Sequence, residues 1–164
     1  MRKGLSFLIV LFSSLYLAHA QNADFSGTWI LNKRTSNRGN DYINGVPSKM
    51  RVIQHEDSII IHKQTLNQNG LDTVYIDTLI VGGMSELLML PDKVKKNVVQ
   101  WKDDGFRLIQ NLTYQNIVSG KVEHKIVYNW NLSGTNILIL NRFDENLISG
   151  EIWSMEGVYK KRTF

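Results

Sequence analysis

The sequence predicts an all-β fold, an antiparallel up-and-down meander closed into a barrel of roughly eight to ten strands. Three observations predict it. Apolar and polar residues alternate with a period of two over most of the chain. No window of about eleven or more residues keeps an apolar stripe at helical spacing. Short turn-forming sequences separate the apolar runs, so that neighbours in sequence become neighbours in space. An open sandwich is the alternative built from the same elements.

Residues 1–20 stand apart from the rest. Arg2 and Lys3 precede an apolar run from Leu5 to Leu17, which ends in Ala18, His19 and Ala20. Charge, oil and small residues in that order are an export signal, cleaved after Ala20. The run is shorter than the ~20 residues that a membrane span requires, so no integral membrane segment is expected after cleavage. Residues 21–164 are then one domain, exported to the periplasm or beyond. The chain has no cysteine, so its stability in an oxidising compartment must come from packing and hydrogen bonds.

The expected strands, rich in Val, Ile, Thr and aromatics, cover residues 25–31, 49–55, 58–64, 73–81, 95–102, 106–114, 121–132, 135–142 and 158–163. Glu56 and Asp57, Asp103 to Gly105, Ser133 and Gly134, and Asn69 and Gly70 supply the turns. Trp101 and Trp130 each stand four residues before a turn glycine, where an indole can shield a barrel mouth. Residues 32–47 are polar and carry Gly39, Asn44, Gly45 and Pro47, which marks a long connection and a candidate lid. Residues 82–92 fit either a helical turn or a broken strand. Residues 144–156 read as a third loop, with Gly157 restarting the last strand.

The segment Phe25-Ser26-Gly27-Thr28-Trp29, placed just after the leader, resembles the G-x-W opening of the calycins, the superfamily of lipocalins and fatty-acid-binding proteins, and is most similar to small exported bacterial lipocalin-like proteins. The resemblance implies a calycin-like barrel whose first strand begins at the closed end with Gly27 and Trp29. It also implies a cation from the last strand over the indole, supplied by Arg162 or Lys160. The fatty-acid-binding proteins hold a carboxylate with a late Arg-x-Tyr pair; here the order is Tyr159, Lys160, Lys161, Arg162, which departs from that pattern.

In residues 121–132 the alternate positions Val122, His124, Ile126, Tyr128 and Trp130 form one face, which is expected to point inward. In the preceding strand Phe106, Leu108, Gln110, Leu112 and Tyr114 form the matching set. The expected ligand-lining residues are therefore Phe106, Leu108, Gln110, His124, Ile126 and Tyr128. Gln110 and His124 are polar groups on apolar faces, so each meets a partner inside or orients a ligand's polar head.

Other chemistries find less support. His55 and His62 lack a third partner at metal-site spacing, so no metal is expected. Phosphate loops, a serine elbow and a cysteine nucleophile are all missing from the sequence, and the acidic pairs Asp103, Asp104 and Asp144, Glu145 read as turn residues. No catalytic residue and no cofactor is expected. Without Arg2 and Lys3, 17 basic residues face 15 acidic ones, a net charge of +2. The clusters at Lys93, Lys95, Lys96 and at Lys160, Lys161, Arg162 read as solvated faces rather than a nucleic-acid surface. The expected function is non-enzymatic binding of one small hydrophobic molecule inside the barrel; a filled barrel serving as an interaction module for an unidentified protein is the alternative.

Overall fold

The computed structural model describes residues 22–66, 71–90 and 92–163. The expected leader on residues 1–20 and the turn at Asn69 and Gly70 lie outside the described residues. The strands are β1 (Gly27–Arg38), β2 (Lys49–Gln54), β3 (Ser58–Leu66), β4 (Asp72–Ile80), β5 (Met84–Leu90), β6 (Lys93–Lys102), β7 (Arg107–Asn116), β8 (Val122–Leu132), β9 (Ile137–Asn146) and β10 (Ile152–Lys161). They form one antiparallel up-and-down sheet in the order β4-β3-β2-β1-β10-β9-β8-β7-β6-β5. The first strand pairs with the last, Trp29 opposite Lys161 and Leu31 opposite Tyr159. The sheet thus curls into a nearly closed barrel, and its seam falls between β4 and β5.

Three elements differ from the sequence reading. Residues 84–90 are a strand, because backbone pairing to β6 (Met84 opposite Val98, Leu88 opposite Val94) decides what an unalternating apolar run leaves open. β1 continues through the polar residues to Arg38, held by β10 across register shifts at Leu31/Lys33 and Ser36/Arg38. β9 runs on to Asn146 and β10 starts at Ile152, so the expected third loop is a five-residue turn. Asn146 organises that turn: its side-chain oxygen accepts from the backbone of Ile148 and Ser149. The same device recurs at Asn116 with Val118 and Ser119.

One end of the barrel is plugged by the segment entering β1. Ala23 N donates to Gly105 O, and the Gln54 side chain bridges Ala23 O and Phe25 N. The Phe25 ring thereby stacks on Trp101 at 5.7 Å and meets Trp130 edge-on at 6.0 Å. Trp29 is fully buried beside it and donates Nε1 to Phe25 O at 2.8 Å. The two turn-adjacent indoles thus close a mouth, as their spacing suggested, with a phenylalanine between them. Full burial of such a ring contributes roughly 1.5–3 kcal/mol.

The cation over Trp29 is Lys161, its Nζ 5.3 Å from the ring, not Arg162 or Lys160. The register explains the correction: Lys161 is opposite Trp29 and shares its inward face, while Arg162 follows one position on and points out, its N–H bonded to Thr28 O. Gly27 has a φ of 140°, and a Cβ there would lie 2.5 Å from Lys161 Cε, so glycine makes room for this lysine.

Candidate functional site

Above the aromatic plug the interior changes character. Ile59, Ile61, Leu79, Val99, Leu108, Leu138 and Leu140 are all buried and form the floor. Higher on the same inward faces stand Lys63, Asp77, Asn97, Gln110, His124, Tyr128, Arg142 and Asp144. Alternation places them there: Gln110 is opposite Val99 and Tyr128, and Asp144 is opposite Ile126 and Trp153.

Two ion pairs anchor this polar chamber. Lys63 Nζ lies 2.5 Å from Asp77 Oδ2. Burial pushes the Asp77 carboxyl up, but the charge and hydrogen bond of Lys63, with Lys95 behind it, hold it below the usual carboxylate value. Across the barrel Asp144 accepts from Arg142 Nη2 at 2.5 Å and Nε at 3.2 Å, and contacts His124 Nε2 at 2.5 Å. Tyr128 sits between the two cations, with Lys63 Nζ 5.3 Å and the Arg142 guanidinium 5.5 Å from its ring. Tyr114 stacks on His124 at 5.4 Å. Burial pushes the Tyr114 hydroxyl above its ordinary value.

The connection after β1, the expected lid, is fixed rather than free. Gly45 O accepts from Arg142 Nη1 at 3.2 Å, and Pro47 O accepts from the buried Tyr159 hydroxyl at 2.8 Å. Burial raises the Tyr159 hydroxyl far above its ordinary value. Tyr42 packs on Trp153 and bonds to Glu151, so the strap covers one side of the upper mouth.

The chamber opens at the seam instead. Among the described residues no strand pairing joins β4 to β5; at the plugged end a bridge between Val81 and Val99 and the bond from Gly82 N to Val99 O hold the sheet together. Further up, a cleft of about 190 Å³ lies between the two strands, lined by Ile76, Asp77, Ser85, Leu87, Lys95, Asn97 and Gln110, among others. At its inner wall, Gln110 is 1% and Asn97 8% exposed. Gln110 Oε1 and Asn97 Oδ1 have no hydrogen-bond partner among the described residues. A buried polar oxygen left without a partner costs about 1–3 kcal/mol, so these two oxygens have acceptor capacity to spare beside the cleft.

Of the residues expected to line a ligand, Gln110 reaches the cleft and Tyr128 reaches the chamber. His124 is there too, but committed to Asp144. Leu108 and Ile126 are buried on the inward faces, 1% and 5% exposed. Phe106 is not part of the lining: it is 70% exposed and precedes β7. Its φ of −81° and ψ of −22° follow a 3-10 turn (Asp103–Gly105), and this helical backbone breaks the alternation that would have turned the ring inward. Asp144 is likewise not a turn residue but a 3%-exposed member of β9. Lys63, Asp77, Asn97 and Arg142 were missed by the sequence reading. Their signal was parity: Asp77 is two residues from buried Leu79, and Arg142 and Asp144 two apart on one strand face. His55 and His62 do not converge; His62 is opposite Ile76 on the outer face.

The geometry defines a nearly closed up-and-down β-barrel with an apolar floor, a charged upper chamber and a lateral opening. Neither a protein-family model nor a curated protein sequence matches the chain.

Proposed function

We propose that this chain is an exported, non-enzymatic binding protein of the calycin-like type that holds one small molecule in its barrel, reached through the seam between β4 and β5. The observation that carries the reading is the pair of buried, unpartnered carbonyl oxygens of Gln110 and Asn97 at the inner wall of that cleft. Each accepts a hydrogen bond from the ligand's polar head. Leu87 and Ile76, 58% and 62% exposed at the rim, supply apolar surface for the body. Among the described residues no helix is long and apolar enough to cross a membrane.

Native mass spectrometry of protein purified from its own host, followed by solvent extraction, tests this. The expected result is one small molecule per chain, lost from Asn97→Leu and Gln110→Leu variants that still fold. A wild-type protein that retains nothing, with tryptophan emission unmoved by amphiphilic probes, defeats the carrier reading. It then favours the filled-barrel interaction module, which has its own support in the exposed outward side chains of Val74, Ile80 and Met84.

A further inference from the structure

The outer face of the sheet across β1, β2 and β3 carries a second concavity, separate from the interior by strand parity. Met50 and Val52 point in and are buried, so Lys49 and Arg51 on the same strand point out. Strand pairing sets Thr28 beside Arg51, Arg51 beside His62, and Lys49 beside Gln64. Arg162 reaches the same face through the bond from its N–H to Thr28 O. These six residues, with Val74 and the Asp77-paired Lys63, line a cleft of about 510 Å³, and none of its lining residues is acidic. At one edge Asp72 accepts from Gln64 Nε2 at 2.8 Å.

Cations two residues apart on one strand face repel one another, and neighbouring acids normally relieve the cost. Among the described residues neither Lys49 nor Arg51 takes part in a salt bridge, although Lys63, Lys93, Lys96, Arg107 and Lys125 all do. Lys49 and Arg51 therefore stand at an open cleft with no salt-bridge partner among the described residues. An arginine fork and a lysine point charge match the tetrahedral oxygens of a phosphoryl group, and a doubly charged anion balances more of the cluster than a single carboxylate does.

We infer that this outer cleft binds a phosphate-bearing group, held by Lys49 and Arg51 with the Thr28 hydroxyl beside them. The group comes either from a free phosphate or from the headgroup of an anionic lipid, and the test separates the two sources. Inorganic phosphate is titrated calorimetrically into the full mature chain at low salt. In parallel the chain is sedimented with vesicles of phosphatidylcholine alone and of phosphatidylcholine mixed with phosphatidylglycerol.

Binding is compared with Lys49→Gln/Arg51→Gln and with Lys102→Gln/Lys121→Gln, which removes equal charge away from the cleft. The cleft variant should weaken binding about tenfold or more while the control changes it little. Retention by phosphate alone assigns a free anion; retention by phosphatidylglycerol vesicles alone assigns a headgroup. If the cleft variant is unfolded, shifts of the His62 ring and Arg51 side-chain resonances on adding phosphate to the wild type carry the test. Absence of binding to both probes, equal losses in both variants, or unmoved His62 and Arg51 resonances would overturn the inference.

Discussion

Replacing Gln110 by leucine should make the protein more stable and a poorer binder. Gln110 is 1% exposed, its Oε1 has no partner among the described residues, and its cross-strand neighbours are Val99 and Tyr128. The wild type therefore bears the desolvation cost of an unpaired amide oxygen, about 1–3 kcal/mol. Leucine removes that cost and leaves a side chain of similar length among apolar neighbours, so a gain of about 1–2 kcal/mol in unfolding free energy is expected. For a chain of this size that corresponds to a rise in Tm of roughly 2–8 °C. Urea unfolding followed by tryptophan emission and by far-ultraviolet circular dichroism gives the number directly, on protein first freed of any co-purifying molecule. A group kept at a stability cost is expected where binding needs it. A loss of more than about 1 kcal/mol in the leucine variant would refute the reasoning, because it would mean that the amide is already satisfied and serves the fold.

Asp144→Ala leaves Arg142 in the interior without its carboxylate and should cost about 3–5 kcal/mol by urea unfolding, whereas replacing both residues by leucine should cost much less. Gly27→Ala forces a side chain into a φ of 140° and pushes Lys161 off Trp29; a loss of about 1–3 kcal/mol and a shifted indole emission are expected. The Asp77 carboxyl is held below its ordinary value, so its stabilising contribution is complete above an unfolded-state pKa of about 3.9 and disappears as the pH falls through the lower folded-state value. Unfolding curves of Asp77→Asn should accordingly depend less steeply on pH below about 4 than those of the wild type.

How far the sequence can be read depends on which physical signal each element carries. β8 buries Ile126, Tyr128 and Trp130 at alternate positions as expected, whereas the register shift against Tyr114 and Gln115 breaks the alternation at Val122. β5 gave no such signal: a run of consecutive apolar residues before Pro91 has no polar face to set its period, and pairing with β6 makes it a strand. The far half of β1 is polar, and its extended backbone is imposed by β10 rather than by its own composition.

The site was legible where a polar residue interrupted an apolar face, as at Gln110 and His124. It was hidden where acidic residues resembled turn formers, as Asp144 did: Arg142, two residues away, becomes its partner on one face only because β9 runs through to Asn146. The assignment of the cation to Arg162 failed by one residue. That is the error to which strands are most prone, because a single step reverses the face.

Among the described residues the barrel is sealed between β1 and β10 and unpaired between β4 and β5. Native-state hydrogen exchange read residue by residue measures both at once. The expected pattern is protection close to the global unfolding limit on both sides of β1 and β10, with alternate amides along the middle of β4 and β5 exchanging fast. Continuous protection along β4 and β5, or rapid exchange where β1 meets β10, would contradict it.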